Sequence, residues 1–360
     1  MVGRDRPGAP PGSCAVAGAA SCACSRAQSR APFRTRLTAL FGIDHPILGG
    51  GLMWLSRPRY VAALVNAGCM GFVTPRSFDD AAAFADALRE CAALTEGRPF
   101  GVNLTLSGRA GGNDGVLGSL DIALAQGVRH FETAGRAPGD LIRRIHDGGG
   151  IVIHKASSLR HALAAERDGA DAIALVGMEE GGHPGLNELP AMLLGALAQE
   201  RLQVPIAIGG GIGHGRQLAA LLAQGLDGAV IGSRFLVCEE IETHPDYKRH
   251  LLSCDEQATV TVLRSLGNTW RVLRNDTAER VAALERDGVR DYAGFGDLLN
   301  SRTTRERCYG EGDWQRGMVS LGPSIAFADR IAPLSDIVAM LLAQACASLD
   351  HLHHMVCAAR

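Results

Sequence analysis

Aromatic residues are scarce, 5% of 360, and net charge is nearly absent, with 36 Lys+Arg against 38 Asp+Glu. Without a basic excess, a nucleic-acid binder that relies on a positive surface is excluded. No run approaches the roughly 18 consecutive apolar residues of a membrane-spanning helix. The ten cysteines contain no CxxC pair, and Cys22 and Cys24 stand too close together for a zinc knuckle. Reduced thiols are the expectation. Neither GxSxG nor HExxH occurs, so a serine hydrolase lacks its nucleophile elbow and no metal is expected. These gaps together describe a soluble, cytoplasmic protein with no nucleic-acid or membrane partner.

Glycine, by contrast, is abundant: 45 of 360 residues, one in eight, against about 7% on average. With alanine-rich stretches this suits an α/β protein with many tight turns. Residues 1–35 differ, being rich in Ala, Gly, Pro, Ser and Arg without hydrophobic periodicity. They read as a disordered extension. Their Arg-rich, acid-poor composition is shared by organellar transit peptides.

From Pro46 onward short apolar runs alternate with helix-like stretches. The runs are Pro46–Gly49, Gly71–Thr74, Phe100–Leu104, Val128–Thr133, Ile151–Lys155, Ala172–Val176, Pro205–Gly209 and Gly228–Gly232. Helical segments are expected at Asp79–Cys91, Pro138–Asp147, Leu159–Asp168, Leu189–Glu200 and Arg216–Gln224. Parallel strands need crossovers, and eight such units predict a (β/α)8 TIM barrel, with an open doubly wound sheet as the competitor. DGAD (168–171), QGLDG (224–228) and NAGCMG (66–71) each end a helix on glycine. The barrel is expected over 36–243 and 331–350. A helical substrate-side subdomain is expected over 244–330, and a closing amphipathic helix over Ser335–Leu349.

Barrel chemistry belongs to the loops after the strands. Strand 7 runs into GGGIGHG (209–215) and strand 8 into GSRF (232–235). Paired glycine turns there predict a phosphate cradle, helped by the dipole of the helix that follows. Lys155, at the end of strand 5, needs an anionic or electron-rich neighbour if buried. Asn103, ending strand 3, offers a donor and an acceptor to a heterocycle. His183, among Gly181, Gly182, Pro184 and Gly185, is a proton-transfer candidate on a loop that lets backbone approach a ligand. His154 and His214 are weaker candidates. On the residues alone, Lys155 also reads as an exposed loop lysine, Asn103 as a turn former and His183 as structural.

Several motifs occur in one order: PILGGGLMWLSRPRYVAALVNAGCMGFVTP, FGVNLTL, ETAG, IHKASS, GMEEGGHPG, IAIGGGIGHGRQLAALLAQGLDGAVIGSRF, CDEQATVTVLRSLGNTWRVLRN and EGDWQRGMVSLGPS. Over roughly residues 36–345 the chain resembles the nitronate monooxygenase family, which includes FMN-dependent enoyl-ACP reductases and quinone reductases. The resemblance implies non-covalent FMN. Its phosphate would sit on Gly209, Gly210, Gly211, Gly232 and Ser233. Its ring would lie near Gly51, Leu52 and Met53, with Asn103 and Lys155 toward the polar edge and Glu180 and Gly181 lining it. His183 matches the family's catalytic histidine. The chain departs from common family patterns with GGGLMW at the first turn, Val176 ending strand 6 and Gly209 in the strand 7 loop.

The leading expectation is an FMN-dependent nitronate monooxygenase that converts alkyl nitronates with O2 to carbonyl compounds and nitrite. The alternative is an NAD(P)H-dependent enoyl or quinone reductase, and a further one is a flavin-binding barrel without turnover. Oligomeric state is left open, a homodimer among the options.

Overall fold

The computed structural model describes residues 33–108, 111 and 113–357. The extension expected over 1–35 therefore falls outside the described residues as far as Pro32. From Phe33 the chain packs against the core. Helix α1 (Arg36–Phe41) starts at Thr35, whose side chain caps it in a reciprocal box with Thr38, and stops at left-handed Gly42.

Eight parallel strands close into a barrel in chain order: β1 (Ile47–Gly49), β2 (Met70–Val73), β3 (Gly101–Leu106), β4 (His130–Gly135), β5 (Ile151–Ala156), β6 (Ala172–Val176), β7 (Ile206–Gly209) and β8 (Gly228–Ile231). β1 pairs with both β2 and β8, so no edge remains. Between them run α2 (Pro58–Asn66), α3 (Ala81–Leu94), α4 (Val116–Ala125), α5 (Gly139–Asp147), α6 (Leu159–Arg167), α7 (Ala191–Gln199) and α8 (Gly215–Ala223). All eight expected strands and all five expected helices form, within a few residues of their predicted ends. Gly68, Gly169 and Gly225 take φ of +76°, +100° and +84°, as the three repeated helix-ending motifs require.

Side-chain alternation splits the core. Leu48, Met70, Phe72, Ile153, Ala172, Ala174, Ala207 and Val230 fill the barrel interior, and Leu37 and Phe41 of α1 pack beneath them. Their sequence neighbours face the helices in the larger outer core. Arg36 pairs with Asp227 at 2.7 Å, and Asp227 also accepts from Ile206 N at 2.9 Å, which ties α1 to the barrel floor.

Past β8 come α9 (Pro245–Leu251), β9 (Thr259–Val262), β10 (Trp270–Leu273), α10 (Asp276–Arg286), one turn α11 (Ser301–Thr303) and α12 (Leu334–Cys357). The stretch expected as helical thus contains an antiparallel hairpin, β9–β10. Its strands, TVTV and WRVL, have four residues each, too few to carry a strong periodic signal. The segment has its own apolar cluster of Val262, Leu263, Val272, Ala278, Val281, Phe295 and Met318. The last helix runs eight residues beyond its expected end, to Cys357. It crosses α8 so closely that a Cβ on Gly215 would lie 2.1 Å from Leu341 O. No helix among the described residues is long and apolar enough to cross a membrane.

Candidate active site

The pleat that sends Ile153 inward also sends Lys155 inward two residues later. The same parity turns Glu132 and Asn103 to the interior at the C-terminal mouth. Adjacent registers, Asn103↔Glu132 and Ala134↔Lys155, set the three side chains side by side. Lys155 Nζ lies 3.0 Å from Glu132 Oε1. The other carboxylate oxygen accepts from Asn103 Nδ2 and from Gly51 N at 3.1 Å. Thr105 Oγ1 donates to Asn103 Oδ1 at 3.0 Å, which fixes the amide orientation. Burial pulls the Lys155 ammonium down, but the Glu132 and Glu180 carboxylates outweigh it and the net shift is upward.

Glu132 is thus the hub that joins Gly51, Asn103 and Lys155. It belongs to the ETAG motif, whose own pattern does not mark the side chain as a hub. A carboxylate inside a buried parallel strand, in phase with an inward lysine, was the available signal. Gly51 is sterically required here, because a Cβ would lie 2.6 Å from Asn103. Leu52 comes within 3.6 Å of where a Cβ on Gly232 would stand, so the first and last βα loops meet across the mouth. Met53, 42% exposed, sits at the rim.

The loop after β6 carries Glu180, Gly181 and His183. Burial raises the Glu180 carboxyl to about 7; Lys155 opposes this and Glu132 adds to it, so the acid is within electrostatic reach of the ion pair. Gly181 packs on Leu321 and Gly322, where a Cβ would come within 2.4 Å of backbone. Gly322 N donates to Ser233 Oγ at 2.8 Å. The loops after β6 and β8 and residues 321–322 therefore converge.

The two late glycine turns lie in the same region. Gly210 and Gly211 have φ of +98° and +74°, and a Cβ on Gly210 would lie 3.1 Å from Glu180 N. The N–H groups of Gly211 and Ile212 have no acceptor among the described residues. A Cβ on Gly232 would meet nothing nearer than Leu52. Next to Ser233, the Arg234 guanidinium is 1% exposed. It reaches Asp329 at only 3.5 Å, and its Nε and Nη1 lack partners among the described residues. Burial lowers its pKa, with Asp329 opposing. Free N–H donors, an open glycine turn and a buried, poorly paired cation fit a phosphate. The contribution expected from α8 is its dipole, and its first N–H groups are already engaged. Gly213 N and His214 N already donate to Gln217 Oε1, and Gly215 N to Gln344 Oε1.

His183 is exposed at this mouth, its imidazole stacked on the Trp270 indole with centroids 4.9 Å apart. The other two histidines have structural duties. His154 points outward, its Nδ1 2.9 Å from Thr133 Oγ1, and burial lowers its pKa to about 4. His214 caps α8. His351, His353 and His354 lie exposed on the last turns of α12, and no group of three His, Cys, Asp or Glu among the described residues could hold a metal.

The sequence model of the nitronate monooxygenase family matches residues 34–344. A Mycobacterium tuberculosis protein named (3aS,4S,5R,7aS)-5-hydroxy-7a-methyl-1-oxo-octahydro-1H-indene-4-carboxyl-CoA dehydrogenase is 33% identical over 251 residues, 69% of this chain and 68% of that one. A nitronate monooxygenase from Paraburkholderia phytofirmans is 27% identical over 346 residues, covering 83% and 93%. The solved structure of FabK from Thermotoga maritima matches with a TM-score of 0.81 at 30% identity, over 90% of this chain and 99% of that one.

Proposed function

The chain belongs to the nitronate monooxygenase family, a family of flavin-using oxidoreductases, and from that premise we propose that it is an FMN-dependent enzyme acting on a small carbon acid beside His183. The observation that carries this reading is the meeting, at one barrel mouth, of the loops after β6, β7 and β8, with the unpaired N–H groups of Gly211 and Ile212, and the Asn103–Glu132–Lys155 cluster. Gly209, Gly210, Gly211, Gly232 and Ser233 would hold the phosphate, with the Arg234 charge behind them. Gly51, Leu52, Met53, Asn103, Lys155, Glu180 and Gly181 would surround the ring. Bound FMN would supply the electron acceptor, chemistry that no side chain offers.

The chain's own part is positioning and proton handling. Glu132 holds Lys155 and Asn103 at fixed places in a pocket whose low dielectric strengthens each contact. His183 donates a hydrogen bond to a nitro oxygen, or takes the α-proton of a neutral nitroalkane. The substrate is an alkyl nitronate, oxidised with O2 to a carbonyl compound and nitrite. Cys69, Cys91, Cys238 and Cys308 are buried free thiols, the state a cytoplasmic, reducing compartment maintains. Purified protein is expected to be yellow and to release nitrite aerobically from propionate 3-nitronate, and His183→Ala is expected to lose that activity. A colourless protein that takes up no added FMN overturns the reading; an unaltered rate in the variant overturns the role of His183.

A second reading has a specific observation in its favour: the relative at 33% identity is named for a CoA thioester substrate. In it the same mouth handles an enoyl thioester or a quinone with NAD(P)H as the redox partner. Anaerobic bleaching of the flavin by NADH or NADPH, with no nitrite release in air, selects this reading. Bound flavin with turnover of none of these substrates would leave a carrier barrel.

A further inference from the structure

The inserted segment reaches the active-site loop through one hairpin. β10 forms an antiparallel bridge with the loop itself: Gly182 N donates to Arg271 O at 3.0 Å and Arg271 N to Gly182 O at 2.6 Å. The Arg271 side chain extends the grip, with Nε donating to Met178 O at 2.9 Å and Nη1 to Thr259 Oγ1 at 3.1 Å. One residue back on β10, Trp270 stacks on His183, with an interplanar angle of 21°. The indole is itself held, as Nε1 donates to Ser320 Oγ at 2.9 Å. Gly182 has φ +130°, a conformation that few other residues adopt.

We infer that Trp270 is a positioning residue for His183: its indole fixes the plane of the imidazole and favours the protonated ring. An exposed histidine preceded by two glycines has several staggered rotamers available, and ordering it carries an entropic cost. A stacked aromatic wall selects one of them. The electron-rich face of an indole also attracts a cation, so imidazolium is favoured over imidazole. An imidazolium is the form that binds an anionic nitronate and can donate to it. The charged groups on the surrounding elements are Glu179 and Glu180 of the same loop, Arg271 of β10, the Arg264–Glu188 pair between hairpin and loop, and Lys155 with Glu132 in the barrel. A cation such as Arg271 opposes an imidazolium and a nearby carboxylate supports it, and the stacked indole face adds to the support.

The kinetic part rests on His183 acting on substrate, as proposed above; the spectroscopic part does not. In protein labelled with 13C at histidine Cε1, the His183 signal, assigned by its loss in His183→Gln, is expected to be displaced by the indole ring current. Trp270→Leu should return it toward the free-imidazole position and lower its titration midpoint by about half a pH unit. Trp270→Phe should retain most of both effects. In kcat/KM for a nitronate, the alkaline limb should move by the same half unit in Trp270→Leu, about a threefold loss above it, with rescue in Trp270→Phe. An unmoved signal and midpoint in Trp270→Leu, or in Trp270→Met should the leucine variant not fold, overturns the inference. Full activity in His183→Gln alongside a displaced wild-type signal overturns the catalytic reading and upholds the stack.

Discussion

Glu132 and Lys155, on neighbouring strands, form an ion pair of 3.0 Å in the barrel mouth, with the Glu132 side chain 1% exposed. A pair this sheltered is asymmetric in its energetics. Forming it offsets two desolvation costs, whereas removing one partner strands the other charge.

Glu132→Leu and Lys155→Met should each destabilise the fold, by about 3–5 kcal/mol for loss of one partner. The double variant should lose less than the sum of the two, because no charge is left stranded. Thermal or denaturant unfolding of the four proteins measures the coupling. Strict additivity would mean that the pair is solvated and contributes little.

Arg234→Met should separate cofactor binding from stability. The guanidinium is buried with two unpartnered nitrogens, so its removal should leave flavin-free protein as stable as wild type or more so. FMN affinity should fall by roughly 30-fold, the equivalent of about 2 kcal/mol for a charge-assisted contact. Riboflavin, which has no phosphate, should bind both proteins alike. Fluorescence titration with the two flavins distinguishes a phosphate effect from a general loss of the site.

Glu180 links stability to pH with an unusual sign for a carboxylate. Burial raises its folded pKa to about 7 from 4.5, so the native state binds the proton more tightly than the unfolded chain. Its contribution is largest below pH 4.5 and is lost as pH rises to about 7. Glu180→Gln, permanently neutral, should raise Tm relative to wild type by about 2–4 °C at pH 8 and by less at pH 5. Equal shifts at the two pH values would show that Glu180 has an ordinary carboxylate pKa.

His154 acts in the opposite direction. Burial, with help from His161, lowers its folded pKa from 6.5 to about 4. The unfolded chain then takes up the proton first as pH falls, and stability is lost between pH 6.5 and 4. Over 4.5–6.5 the slopes of His154 and Glu180 oppose each other, so the variants must be measured separately. His154→Gln should flatten the acid side, with a Tm change between pH 7 and pH 5 about 2–4 °C smaller than in wild type.

Much of the architecture was legible because it is written in local pattern. Apolar runs of four to six residues, most of them followed by a helix that ends on a glycine, need only neighbouring residues to be recognised. The glycine turns at 209–213 and 232–233 were legible for the same reason. The β9–β10 hairpin was missed, since two four-residue strands carry little periodic signal. The Arg234 cation and the Glu132 hub were also missed, because each has a meaning that depends on burial, and burial is a property of the closed barrel.

The order of residues by itself determined the eightfold repeat, the loops that carry the glycines and the presence of an imidazole among them, all consequences of steric and hydrophobic preferences acting over a few residues. The partnerships were decided only when the chain closed. Closure laid Asn103, Glu132 and Lys155 abreast, and it brought Trp270 onto His183 across 87 positions of chain. The physical reason is range: backbone preference acts between neighbours, whereas ion pairing, stacking and desolvation act through space and exist only once the fold has set the distances.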